Sequence, residues 1–244
     1  MDFPKNELKL ELFPKGLHFS ISEIVALIGK QDISKASKRV ELLRDIAHDQ
    51  LNVGKYCDVD IKWRRAYYLS SFIQAFCQVC EKHASEVILK VCDEGLLMGA
   101  PVSGFSIHDI IGRTRPRYTS SVDKPSINCS IEQTALPVLR NPIQRLSRLP
   151  TLEEWINIRQ AGKPILIAQG ASLMNWPALE KWSFEYLWEK FKGRTVPIEE
   201  GAKYTDENWG QRLRKFDDFL NSFKDKNIKS YLAQKRVSIE QFLN

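Results

Sequence analysis

Apolar residues in the first hundred positions recur every three or four residues, the spacing at which side chains share one face of an α-helix. From Ser34 to Gly54, Val40, Leu43, Ile46, Ala47 and Leu51 fall on one stripe, predicting a helix that stops near Gly54. From Trp63 to His83, Leu69, Ile73, Phe76 and Cys80 repeat the spacing. ASEVILKVCDEGLLMG (84–99) repeats it again and ends at Gly99. Such helices bury their stripes by packing antiparallel. No fixed period joins them into a convincing solenoid.

From 100 to 134 the periodicity fades while Pro, Gly, Ser, Thr and Arg accumulate, which reads as a linker or long irregular connection. Beyond about Ala135 the pattern changes again. Thr151 with Glu154 three residues on forms a capping box, Gly162 stops the helix and Pro164 blocks its return. PILIA (Pro164–Ala168) reads as a short buried strand. Ser183 caps a helix ending at Gly193, and RTVPI (Arg194–Ile198) is a second strand. A helix starting at Thr205 or Asp206 is predicted to carry Trp209, Leu213, Phe216, Leu220 and Phe223 on one face. KSYLAQKRV (Lys229–Val237) is strand-like. Taken alone, this alternation suggests a parallel α/β fold. No glycine-rich phosphate loop accompanies it.

At 244 residues and 43% hydrophobic, the chain has material for one large domain or two modest ones. Its apolar runs are too short to cross a bilayer, and MDFPKNELKLELF lacks a signal-peptide core. Five cysteines, an odd number, suit free thiols in a reducing compartment. A soluble intracellular protein is expected. The net charge of +6 is concentrated in residues 101–150, with seven basic and three acidic side chains around Arg113–Arg117. A solvated linker explains this better than nucleic-acid contact, because no aromatic interleaving or reading helix accompanies the arginines.

Glu199 and Glu200 are the adjacent carboxylates at the end of the second strand. Successive strand side chains point to opposite faces, so the two do not form an acid–base couple. The pattern leaves open which of them faces a cavity. Cys77, Cys80 and His83 are spaced as one helical stripe, and the second ligand pair of a zinc site is not evident. They read as core or surface thiols.

RLPTLEEW, GKPILI, NWPALEKWSFEYL, GRTVPIEEGAKYTDENW and YLAQKRV follow one another with spacings that resemble the front portion of a Jumonji-C (JmjC) oxygenase. LNVGKYCDVDIKWRRAYY and KVCDEGLLMGAPV resemble the helical N-terminal region of one subgroup of that family. The resemblance spans Asp45 to Val237. It implies an α+β chain: a helical N-terminal domain over 1–134, with the basic linker near 100–134, then the N-terminal portion of a JmjC-type, cupin-like double-stranded β-helix over 135–244. It implies Fe(II) and 2-oxoglutarate as family cofactors, and hydroxylation of a protein side chain, as arginyl hydroxylation or histone lysine demethylation. By motif position, Glu199 matches an acidic residue that meets the substrate side chain and Gln234 a glutamine of the substrate pocket. Tyr231 matches a tyrosine whose hydroxyl contacts 2-oxoglutarate. Glu200 matches no family carboxylate and is expected to face solvent. The implied partner is a protein, chromatin- or ribosome-related, met in the nucleus or cytoplasm.

The family's iron ligands come as His-x-Asp or His-x-Glu with a second histidine far downstream, leaving open positions on the metal. Here His18, His48, His83 and His108 all lack an acid two residues on, and no histidine follows His108. The expectation is that this chain does not assemble that metal site, assigns no catalytic residue and binds neither cofactor tightly. The strands near Ile165, Val196 and Tyr231 would be only the opening strands of a β-helix. Their uncovered edges would make 135–244 marginal alone, as in a truncated form. Three functional readings follow in order: the front part of a protein hydroxylase, a non-catalytic interaction module built on the helices, and a nucleic-acid contact through Arg113–Arg117.

Overall fold

The computed structural model describes residues 2–120, 141–201, 205, 209–222 and 230–233. Contacts divide the chain into two compact units, residues 1–123 with 191–244 and residues 124–190. That grouping runs differently from the change in sequence character near residue 135.

The first unit opens with three short 3-10 turns over residues 5–17, followed by α1 (His18–Gly29), α2 (Ile33–Leu51), α3 (Ile61–Cys80), α4 (Ser85–Met98) and α5 (Ile107–Thr114). Asp32, Asp60 and Ser106 cap α2, α3 and α5 by accepting from backbone N–H groups of the first turn. The predicted stripe of α2 is buried at Val40, Leu43, Ala47 and Leu51, but Ile46 is 48% exposed. Adjacent to Ala47, it is turned about 100° away on the helix. Likewise Leu69, Ile73 and Phe76 are buried while Cys80, at the last turn of α3, is exposed. Ala66 to Ile73 are all buried, because α3 is the central helix with α2 and α4 packed against it.

Two helices depart from the reading of the sequence. α1 was not among the predicted stripes, and α5 lies inside the stretch read as irregular. Its Ile107, Ile110 and Ile111 keep helical spacing and are buried, and Arg115–Arg117 follow as a 3-10 turn. Phe3 packs edge-on against Phe76 and Phe105, with ring centroids 5.4 and 5.9 Å away, so the N-terminal segment closes the helical core.

In the second unit β1 (Gln144–Leu146) pairs in parallel with β2 (Ile165–Ile167), with α6 (Leu152–Ala161) between them in sequence. α7 (Gly170–Leu173), α8 (Ala178–Lys181) and α9 (Phe184–Phe191) follow. The capping box of Thr151 and Glu154 forms in both directions, Gly162 ends α6 at φ 61°, and the Ser183 hydroxyl accepts from Tyr186 N–H at 3.1 Å. β2 is half-buried instead of buried, since Leu166 is 41% exposed.

The remaining strands belong to the first unit. β3 (Thr195–Glu200) lies between β4 (Gly210–Lys215) and β5 (Ser230–Leu232), antiparallel to both. The helix predicted from Thr205 or Asp206 is therefore corrected: residues 210–215 are strand, and α10 begins only at Phe216 and runs to Ser222. Its Phe216 and Leu220 are buried as the pattern requires, Phe219 is buried with them, and Phe223 lies outside the described residues. Hydrogen bonding to β3 overrides the helical spacing of Trp209 and Leu213. The parallel α/β expectation gives way as well, since parallel pairing is confined to β1–β2 among the described strands. Among the described residues no helix is long and apolar enough to cross a membrane.

Candidate functional site

β3 carries Glu199 at the fifth of its six positions, opposite Gln211 of β4 on one side and Tyr231 of β5 on the other. Directly opposed residues of an antiparallel pair place their side chains on one face. Gln211, Glu199 and Tyr231 thus form a row across the three strands. Gln211 donates from Nε2 to Glu199 Oε1 at 3.4 Å, and Tyr231 is 57% exposed. Two of the three residues singled out in the sequence are neighbours in this row. Gln234 lies outside the described residues.

Glu200 occupies the other face with Val196 and Ile198, both buried. The expectation that Glu200 faces solvent is corrected here. Its side chain is only 25% exposed and forms an ion pair with Arg214, with Arg212 Nε 3.6 Å away. Arg212 and Arg214 stand opposite Ile198 and Val196 in register, so strand alternation brings all three charges to one face. The carboxylate thus ties β3 to β4 on the face opposite Glu199.

The start of β3 is held by a group the sequence reading did not single out. Asp93, fully buried in α4, accepts from Arg194 Nε at 2.8 Å and from Thr195 N–H at 2.6 Å. Arg194 Nη2 lies 2.7 Å from the same carboxylate. Burial pushes the Asp93 carboxyl up, while Arg194 and the Thr195 amide pull against that rise. Burial, then the nearby Arg194 charge, holds the His108 imidazole below its ordinary value. One residue earlier, Gly193 N–H donates to Asp217 Oδ2 at 2.6 Å, and Ser120 donates to Asp217 Oδ1 at 2.8 Å. Gly193 has φ +74°, and a Cβ there would meet the Tyr118 ring at 2.8 Å. The sequence did hold one signal: Asp93 is a charged residue between apolar stripe positions of α4.

The cysteine–histidine run does not converge on a point. Cys77 is buried, and burial pushes its thiol up to about 12, so it stays protonated at neutral pH. Cys80 is exposed, and the His83 ring lies 3.3 Å from Glu81. The His18 ring lies 3.2 Å from the Phe13 carbonyl, and His48 is beside Asn52. Among the described residues no three His, Cys, Asp or Glu gather as metal ligands would. Glu199 has an amide and a phenol as register neighbours, so the residues present do not fit a two-histidine, one-carboxylate iron site.

Residues 15–124 match the family described as KDM8-like, N-terminal ARM repeats. A repeat array was not evident in the sequence because α1 to α5 run 12, 19, 20, 14 and 8 residues and so mark no constant period. Lysine-specific demethylase 8 of Danio rerio is 30% identical over 86% of this chain and 56% of its own length. The Xenopus tropicalis protein of the same name is 27% identical over 81% and 56%. Jumonji C domain-containing protein 5 of Drosophila melanogaster is 27% identical over 75% and 46%. The chain spans about half the length of the curated relatives it matches. Over most of its length, then, the chain is a homologue of lysine-specific demethylase 8 and Jumonji C domain-containing protein 5, and residues 15–124 match the N-terminal repeat family described as KDM8-like.

Proposed function

We propose that these residues supply the helical module and the opening sheet of a JmjC-type double-stranded β-helix in an Fe(II)- and 2-oxoglutarate-dependent protein oxygenase. The observation that carries this reading is the row Gln211–Glu199–Tyr231, which sets a carboxylate beside a phenol on one sheet face. Glu199 holds a cationic substrate side chain by charge-assisted hydrogen bonds, bidentate where that side chain is arginine. Tyr231 donates its phenolic hydrogen to a carboxylate of 2-oxoglutarate. Gln234, three residues on in sequence, belongs to the substrate pocket. Fe(II), where the family binds it, activates oxygen, and no step through it is assigned to the residues of this chain. The relatives' names speak of lysine demethylation. Glu199 suits lysine or arginine, and the family resemblance adds arginyl hydroxylation to lysine demethylation as the reaction, on a protein met in the nucleus or cytoplasm.

The test is a chimera of this chain followed by the part of the Danio rerio relative outside the match. Glu199→Gln should raise KM for an arginine-containing peptide about tenfold or more by removing a charge-assisted contact, without changing uncoupled 2-oxoglutarate turnover. Tyr231→Phe should raise KM for 2-oxoglutarate instead. An active chimera indifferent to both substitutions overturns the assignment. The 244-residue chain alone, mixed anaerobically with Fe(II) and 2-oxoglutarate, should give no visible charge-transfer band, and a band would show that it gathers its own iron. A second reading, a non-catalytic interaction module, is favoured by the ARM-repeat match, and it gains if the chimera binds its protein partner without turnover.

A further inference from the structure

β3 could be held in place by diffuse apolar packing, by cross-strand pairs, or by a specific anchor. The cross-strand ion pairs of Glu200 lie on β4 and tie strand to strand, so they leave the sheet's place on the helices undetermined. Lys215 and Glu86 bridge β4 to α4 at 2.5 Å, but their side chains are 33% and 54% exposed, and such pairs contribute little. Asp93 differs from both. It is fully buried in the middle of α4, and its two oxygens take the Arg194 guanidinium and the Thr195 amide.

Those two donors flank the point where the chain enters β3. Thr195, Pro197 and Glu199 share one strand face, and Glu199 lies four residues, about 13 Å, beyond the anchored amide. A shift or tilt at the anchor is carried along the strand to Glu199, because β4 and β5 stiffen it on both sides. Arg194 is held there as well, by the hydrogen bond from its Nε to Asp93 Oδ1, with Nη2 at ion-pair distance from the same oxygen.

We infer that Asp93 is a positioning residue through which the ARM-repeat module sets β3, and with it Glu199, for substrate. The inference rests on the reading of Glu199 given above. It makes the helical module part of the site's framework: α4 fixes the strand on which a substrate-facing carboxylate stands.

The experiment compares Asp93→Asn with Glu94→Gln. Glu94 is the next residue on α4, and its partner is Arg44 of α2, so its loss loosens the helices without touching β3. Hydrogen exchange of the 244-residue chain should show the β3 amides of Asp93→Asn exchanging about tenfold faster or more, with the amides of α1 and α2 unchanged. Glu94→Gln should do the reverse. Should Asp93→Asn fail to fold, Arg194→Lys, which keeps the charge and loses the Nε donor, should give the same acceleration confined to β3. Equal acceleration everywhere, or β3 amides at the parent rate, overturns the inference. In the chimera Asp93→Asn should raise KM for the arginine-containing peptide about tenfold and lower kcat at saturating peptide much less. If Glu199→Gln raises that KM and Asp93→Asn does not, the positioning role falls and the reading of Glu199 stands. If neither raises it, the reading of Glu199 itself falls.

Discussion

Replacing Gly95 by alanine should destabilise the protein, although alanine is the better helix former. In an exposed helix interior the exchange stabilises by about 1 kcal/mol. Gly95, however, lies in α4 where it packs on α3, and an added Cβ would stand 2.7 Å from Ser71 Cβ and 2.9 Å from Ile107 Cδ1. The Ile107 methyl group is the end of a flexible side chain and can turn aside. Ser71 Cβ moves only with the backbone of α3, whose neighbouring Tyr67, Leu69 and Phe72 are buried. Overpacking of this kind costs about 1–3 kcal/mol, which leaves a net loss of up to about 2 kcal/mol after the helix gain is offset. Ser71 Oγ also accepts from Arg44 Nε at 3.1 Å, so displacing it strains a second contact. Gly112 provides the opposite sign on the same fold. It lies in α5 with nothing within 4 Å of its added Cβ, and Gly112→Ala should stabilise by about 0.5–1 kcal/mol. Urea unfolding followed by far-ultraviolet ellipticity reads both as shifts in midpoint at constant slope. A Gly95→Ala midpoint at or above that of the parent, or a Gly112→Ala midpoint below it, refutes the packing argument.

Three further outcomes follow from buried polar groups. Arg44 donates to Ser71 and to Tyr67 Oη at 2.8 Å and pairs with Glu94, joining α2, α3 and α4, so Arg44→Ala should cost about 3 kcal/mol in the same urea assay. A loss below about 1 kcal/mol would mean the network is redundant. A thiol reagent should label Cys57 and Cys80 in the folded protein and reach Cys77 and Cys92 only on unfolding, and rapid labelling of Cys77 would contradict its burial. Burial raises the Cys77 thiol from 9.0 and the Tyr67 phenol from 10.0, each to about 12. The folded chain keeps these protons longer than the unfolded chain, so stability should be full below pH 9 and fall as pH rises from 9 to 12. Urea midpoints measured across that range check this, Cys77→Ala should lessen the part of the fall below pH 10, to which the buried Cys92 thiol also contributes, and a midpoint unchanged up to pH 11 would count against it.

The helices that bury a long stripe were legible, because burial along α2, α3 and α4 follows a spacing that needs no tertiary information. α5 was not, since eight residues between Pro101 and Pro116 offer two turns of pattern inside a breaker-rich stretch. β4 was misread for a different reason. Trp209, Leu213 and Phe216 fall at helical spacing, and only the presence of β3 alongside makes Gly210–Lys215 a strand. Alternation along β3 correctly separated Glu199 from Glu200. It did not reveal that Glu200 is paired, because Arg212 and Arg214 reach it through a register that the sequence does not state. The juxtaposition of Glu199 and Tyr231 is likewise a product of pairing between β3 and β5, and from motif positions alone they were separate residues.

The family match to the helical module ends at residue 124, yet the contacts of that module continue into the strands beyond it. Asp93 explains why. A carboxylate with no exposed surface in the middle of an apolar helix face is strongly unfavourable unless a cation and hydrogen-bond donors meet it. The donors that meet it, Arg194 and the Thr195 amide, come from about a hundred residues further along the chain. Had α4 evolved to face only other helices, an apolar residue at position 93 would serve better, as Leu89 and Leu96 do one turn to either side. The aspartate is therefore intelligible as one half of an interface whose other half is β3. It follows that a fragment cut at residue 124 would leave a buried acid without its cation, and that the strand bearing Glu199 owes its position to the helices.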